Sequence, residues 1–214
     1  EIQCAALGMD VDIYDKKGNS IDQKKGELVC KTPFPSKPIY FWNDKNNIKY
    51  LKAYFKRYKN IWHHGDYCEK TKNKGYIIYG RSDATLNAGG VRFGTAELYR
   101  VVENIDNIIE SVAVEHNLPT DTEVVLFLKL ELHTQLNEDL IELIKYKIKS
   151  NLSPKHIPSK IFKVLDIPKT KSGKIVELAI KNIINGLEIE NKNVLANPDC
   201  LKEYQNIYYK LGKG

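Results

Sequence analysis

The segment GRSDATLNAGGVRFGTAE, residues 80–97, packs an arginine, an aspartate, a Gly-Gly turn and a second arginine into one stretch leading to a helix. Far downstream, PKTKSGK at residues 168–174 sets a lysine on a Ser-Gly turn. Handling a phosphorylated nucleotide needs oriented cations, backbone N–H groups free of side-chain obstruction and a carboxylate in a polar linker. Each segment supplies part of that set, and their agreement is a stronger signal than either alone. The first segment also marks a change in the order of secondary structure, from mostly extended to mixed helix and strand.

Upstream the chain reads as mostly extended. Residues 9–31 form a strand pair: MDVDIYD alternates, KKGN is a turn and GELVCK is a second extended run. TPFPSKP at 32–38 is too rich in proline for a regular helix or a central strand. The spacing of Tyr50, Leu51, Tyr54, Phe55 and Tyr58 predicts a short amphipathic helix over residues 49–58, with the aromatic stripe as core. Residues 62–71 and 76–81 form a hairpin across a turn at 73–75.

Downstream, a loop with Asn87, Gly89 and Gly90 leads through residues 91–93 to a helix over 96–104, with Thr95 as its N-cap. SVAVEH and EVVLFLKLE read as strands. A helix over 138–151 shows an apolar face of Leu140, Ile141, Leu143, Ile144, Ile148 and Leu152. Asn137 caps it, acids fill its first turn and lysines its end. KIFKVLDI is another strand, and helix resumes over 175–185. Asn197 and Pro198 open a last helix through Tyr204. The fold class is therefore α+β: a β-rich part over residues 1–82, then a mixed α/β part over 83–214.

The 214 residues can bury a sizeable core. With 42% hydrophobic and 28% charged residues and a mean hydropathy of -0.43, no run approaches the roughly 20 apolar residues that cross a bilayer. No membrane partner is expected. The chain opens on EIQCAALGMD, without an initiator Met or a leader, and reads as a piece of something longer. Net charge is +6, but the lysines are spread along the chain among Asp and Glu. A solvated basic surface explains this better than nucleic-acid binding. Cys4, Cys30, Cys68 and Cys200 are far apart with no Cys-x-x-Cys pair, which suits a reducing cytoplasm. Adjacent His63 and His64 point to different sides of a strand and lack a third ligand at helical spacing, so no metal site is expected.

Taken singly, each candidate has a plain reading. Asp66 after Gly65 can be a turn residue, or its two oxygens can accept from a vicinal diol such as a ribose. Arg81 can be a surface ion pair, or a second ribose or phosphate contact. Asp83 can cap a turn, and Gly89 and Gly90 can form an ordinary loop. Arg92 adds a planar fork of donors suited to phosphate. Lys174 can be a surface lysine, or a mobile ammonium that offsets charge developing on a transferring phosphoryl or acyl oxygen. The combination favours the functional readings.

In these motifs the sequence resembles the adenylate-forming acyl-CoA synthetases, the superfamily that includes acetyl-CoA synthetases and luciferases. The resemblance runs over essentially the whole chain. It implies that residues 1–82 are the β-rich end of the large AMP-binding domain and 83–214 the small mobile C-terminal domain. It further implies that Asp66 and Arg81 bind the ribose hydroxyls of ATP, and that Asp83 is the hinge. Gly89 and Gly90 would meet the pantetheine of CoA beside Asn87 and Arg92, and Lys174 would promote adenylation.

ATP with magnesium and CoA are the implied co-substrates, and the missing N-terminal domain is the implied partner. That domain would hold the phosphate loop and the acyl pocket, so the fragment alone should be inactive. A narrower likeness, to the branch that activates acetoacetate, rests on EIQCAALGMDVDIYD, GELVCKTPFPSKPIYFWND, WHHGDY and the tail NGLEIE to LKEYQNI. His64 stands where many members have Thr, Asn87 where many have Lys, and Val176 with Glu177 where a common pattern has Arg. Acetate or another short acid, a non-catalytic basic binding module and a truncated remnant are the alternative readings.

Overall fold

The computed structural model describes residues 1–88, 90–189 and 192–211. Its contacts divide the chain into two compact units, Glu1–Asp83 and Ala84–Gly214. The division falls one residue beyond the sequence expectation, leaving Asp83 as the last residue of the first unit.

The first unit is an antiparallel sheet of β1 (Val11–Tyr14), β2 (Lys25–Cys30), β3 (Trp62–Lys70) and β4 (Tyr76–Arg81), paired in that order, with α1 (Ile48–Tyr54) between β2 and β3. Buried Ile13, Cys68 and Tyr76 form one core patch. Cys30, Tyr50 and Trp62 form another, packed by Phe34, Phe41, Tyr54 and Phe55. Tyr54 stacks on Trp62 with ring centroids 3.8 Å apart. The aromatic stripe is thus mostly core, although Leu51 on it is exposed.

The helix ends at Tyr54, four residues before the periodicity predicts. Phe55 leaves helical geometry at φ −125°, and Tyr58 is buried with its hydroxyl donating to the Asp15 carbonyl at 2.7 Å. Packing on Trp62 and this distant hydrogen bond outweigh the helical spacing. The β3–β4 turn closes through the Thr71 N–H on the Gly75 carbonyl at 2.8 Å, with Lys74 at φ 65°.

In the second unit a small hairpin, β5 (Leu86–Ala88) and β6 (Val91–Phe93), leads into α2 (Thr95–Val102). Then come β7 (Ile108–Asn117), β8 (Thr122–Leu130), α3 (Glu138–Asn151), β9 (Lys160–Val164), α4 (Glu177–Ile184) and α5 (Leu201–Leu211). Strands β7 and β8 are antiparallel, while β9 returns parallel to β8 after the α3 crossover. Both faces of this sheet are covered, which is why β8 reads TEVVLFLKL with almost no polar alternation. Val125 and Phe127 face α4 and α5 with Ile180, Ile184 and Tyr204. Val124, Leu126 and Leu128 face α2 and α3 with Leu98, Ile144 and Ile148. Each fully buried aliphatic side chain of this kind contributes about 1.5–3 kcal/mol relative to exposure.

Three local expectations need correcting. The N-cap of α2 is Gly94, whose N–H donates to Glu97 Oε1 at 2.9 Å. Thr95 is instead its buried first residue. On α3, Asn137 caps as expected, its Oδ1 accepting from the Leu140 N–H at 3.0 Å, but Leu143 stands exposed off the apolar face. Finally, α5 continues to Leu211, because Tyr204, Ile207 and Leu211 recur at helical spacing and are all buried.

Candidate functional site

The β3–β4 register sets Asp66 directly opposite Arg81, so two residues fifteen apart in sequence are cross-strand neighbours. Asp66 therefore lies within a strand and is no turn residue. Its Oδ2 meets His64 Nδ1 at 2.6 Å, and its Oδ1 lies 3.4 Å from Arg81 Nη1. Arg81 also donates to the His64 carbonyl at 3.3 Å and reaches Asp83 Oδ1 from Nε at 3.4 Å.

Burial pushes the Asp66 carboxyl up, but the His64 ring and the Arg81 guanidinium outweigh it and hold the group below its ordinary value. Gly65 makes this seat possible. It adopts φ +86°, and a Cβ there would lie 2.7 Å from Arg81 Nη2. Arg81 remains 52% exposed against 16% for Asp66, so a rigid carboxylate and a reachable fork of donors stand side by side. A carboxylate has about four lone-pair sites, which leaves capacity for a diol. Arg81, Gly65 and His64 line a cleft of about 880 Å³ together with Arg57, His63 and Asp83, with Asp66 paired to Arg81 and His64 behind that lining.

In the second unit, Asn87 and Arg92 are cross-strand partners on the β5–β6 hairpin. The expected loop is thus a short two-stranded turn. Gly90 takes φ +80° with open space where a Cβ would stand, and Gly89 lies outside the described residues. Buried Leu86 and Phe93 anchor the hairpin, and Thr122 Oγ1 donates to the Asn87 carbonyl at 3.0 Å. Arg92 Nε donates to Thr85 Oγ1 at 2.9 Å.

Lys174 lies on the turn between β9 and α4. Its turn closes through the Thr170 N–H on the Lys174 carbonyl at 2.8 Å and the Lys174 N–H on Thr170 Oγ1 at 3.1 Å, with Gly173 at φ +82°. The side chain is exposed, and no ion pair joins its ammonium to a described residue.

Beneath it, Asn197 does not cap the following helix as its sequence position predicts. Its Oδ1 accepts from the Lys169 N–H at 2.9 Å and its Nδ2 donates to the Ile167 carbonyl at 2.8 Å and to Asp166. Lys129 also reaches Asp166, at 2.7 Å. Burial raises the Asp166 carboxyl, but Lys129 and Asn197 together hold it below its ordinary value. The side chains of His63 and His64 engage Glu27 and Asp66. Among the described residues no group of three or more His, Cys, Asp or Glu is placed to hold a metal ion.

Sequence reasoning missed Glu27, Arg57, Ser82 and Asn197. Glu27 sits at a β-bulge where the β2–β3 register shifts, so its burial does not follow the alternation of GELVC. Asn197 carried a stronger local signal, that of a helix cap before proline.

The fold is similar to that of CoA ligases of known structure. A benzoate CoA ligase from Burkholderia xenovorans LB400 superposes with a TM-score of 0.69 at 26% identity, over 82% of this chain and 34% of that one. No family model matches the chain. In sequence, the chain is homologous to acetoacetyl-CoA synthetases. It is 49% identical over 201 residues to the acetoacetyl-coenzyme A synthetase of Rhizobium meliloti (strain 1021), covering 94% of this chain and 31% of the relative. The structure of acetoacetyl-CoA synthetase from Streptomyces lividans matches with a TM-score of 0.91 at 35% identity, over 97% of this chain and 32% of that one. The chain spans about a third of the length of these relatives.

Proposed function

We propose that the full-length protein is an acetoacetate–CoA ligase that works through an acyl-adenylate. Residues 1–82 would close the large AMP-binding domain and residues 83–214 would form the small mobile one. In the first half-reaction a carboxylate oxygen of acetoacetate attacks the α-phosphorus of ATP and pyrophosphate leaves. In the second, the CoA thiol sulfur attacks the activated carbonyl, the carbonyl–oxygen bond to phosphate breaks, and AMP leaves.

Asp66 and Arg81 hold the ribose hydroxyls, and Lys174 offsets the charge that develops during adenylation. Asp83 is the pivot that withdraws Lys174 and presents Asn87, Gly89, Gly90 and Arg92 to the pantetheine arm. Magnesium enters with the phosphates of ATP. Four cysteines without a disulfide among them fit a cytoplasmic location.

The observation that carries this reading is the seat of Arg81 over Gly65, opposite Asp66. It sets a carboxylate acceptor beside a fork of donors that lines a cleft, and the φ of +86° at Gly65 favours a glycine beneath that fork. In the full-length enzyme, Lys174→Ala should slow acetoacetate-dependent ATP–pyrophosphate exchange by a hundredfold or more, in line with the loss of a preorganised charge stabiliser (~3–4 kcal/mol). Thioester formation from supplied acetoacetyl-adenylate should stay near wild type. Equal loss in both half-reactions would remove the adenylation role.

A further inference from the structure

Glu27 is 1% exposed, and a carboxylate that deep costs several kcal/mol of lost hydration unless donors surround it. Arg57 Nη2 reaches its Oε1 at 3.1 Å, His63 Nε2 lies 3.0 Å from its Oε2, and the Ser82 hydroxyl donates to the same oxygen. These partners are not scattered. His63 is two residues before Gly65, and Ser82 lies between Arg81 and Asp83. Arg57 follows α1 and lines the same cleft as Arg81. A well-packed apolar residue in place of such a buried charge is often no less stable. Stability alone therefore gives little reason for a carboxylate here, and the partners it orients give a better one.

Arg57 has five N–H donors in a rigid fork, and Glu27 already holds the guanidinium in place. Its side chain is still 34% exposed. Lys52 and Lys56 line the same cleft and make no ion pair with a described residue. Residues 45–59 in fact carry six cations and no acid. The cleft is thus cationic well beyond Arg81, on the side of α1, and its one fixed guanidinium on that side is Arg57.

We infer that Arg57, aimed by the buried Glu27 carboxylate, is a further binding residue of this cleft that takes a phosphate group of an adenine nucleotide. The inference rests on the nucleotide reading of the cleft and extends it from the ribose to a phosphate. Glu27 acts through Arg57 and is a positioning residue. ATP and CoA both bring such a phosphate.

Equilibrium dialysis of the full-length protein against ATP, CoA, dephospho-CoA and adenosine tests the assignment without requiring turnover. Arg57→Met should weaken either ATP or CoA about tenfold, the loss of one charge-assisted hydrogen-bonded contact, and leave adenosine unchanged. Weaker ATP binding assigns the phosphates of ATP. Weaker CoA binding with dephospho-CoA unaffected assigns the 3′-phosphate of CoA, and equal weakening of both assigns its diphosphate. Glu27→Gln should give a similar loss, and the double variant no more than either alone. Arg57→Lys, which keeps the charge, should recover part of the affinity.

Unchanged ATP and CoA binding by Arg57→Met overturns the inference while leaving the ligase reading intact. So does an equal loss for adenosine, which marks a structural effect. A wild-type protein that binds neither nucleotide overturns both.

Discussion

In the first unit, Asp66 and Arg81 face each other across a strand pair, and their neighbours engage both side chains. In the second unit, Lys174 stands on an exposed turn whose backbone is closed at both ends, while its ammonium pairs with no described residue. One site fixes side chains, and the other fixes only the backbone beneath a free side chain. Ordering groups before a ligand arrives favours binding, because the entropy of ordering is already met. A cation that must meet charge only as it develops, and then withdraw, gains from reach. The contrast supports the proposal that the first site holds the nucleotide throughout while Lys174 serves one half-reaction.

Gly65→Ala should have the largest effect on the seated site. The new Cβ meets the Arg81 guanidinium, and an L-residue at φ +86° is strained, together costing about 1–3 kcal/mol. Nucleotide affinity should fall with it, with a lower unfolding temperature by calorimetry and an intact Lys174 turn. Unchanged affinity would show that Arg81 needs no such seat. Asn197→Ala tests the other plan. It removes the hydrogen bonds that hold residues 166–169 and should cost about 1–3 kcal/mol. Adenylation should slow while nucleotide affinity stays, so a loss of affinity there would break the contrast.

Acid offers a smaller and sharper probe. The Asp66 carboxyl is depressed in the fold, so its ionised form contributes stability that is fully present above the unfolded value near 3.9 and is lost as pH falls through the folded one. Asp66→Asn should flatten the acid limb of the unfolding profile below about pH 4. An unaltered limb would mean that His64 and Arg81 do not hold the charge. The smallest expected effect is chemical. Burial pushes the Cys68 and Cys200 thiols up to about 11, whereas Cys4 is exposed. Iodoacetamide at pH 8 should label Cys4 first, and Cys68 or Cys200 only after unfolding, as read by peptide mass. Early labelling of Cys68 would mean that the sheet beneath Asp66 opens.

Much of the fold was legible because its signals are local. Alternation located β1 and β2, the turn at residues 73–75 located the β3–β4 hairpin, and Asn137 with its acidic first turn located α3. The reading failed where distant packing overrode local pattern. The aromatic spacing of residues 49–58 continued past the end of α1, since Tyr58 bonds Asp15 instead. The tail looked like a short helix, since only its contact with β8 shows why Tyr204, Ile207 and Leu211 form one buried stripe. Of the candidate site, the motif residues were visible as residue types at suggestive spacing, while Glu27, Arg57 and Asn197 were not.

Local pattern sufficed for the α+β order, the change of character near residue 82 and the residues with chemistry to offer. These depend on periodicity, turn chemistry and side-chain type, which act within a few positions. Long-range folding set Asp66 opposite Arg81, gave the space over Gly65 to a guanidinium, buried a glutamate in the same sheet and braced the lysine turn with the tail. Those depend on strand register and on contacts between segments up to 55 residues apart, such as Glu27 with Ser82, where burial makes an unpaired charge costly and a paired one specific.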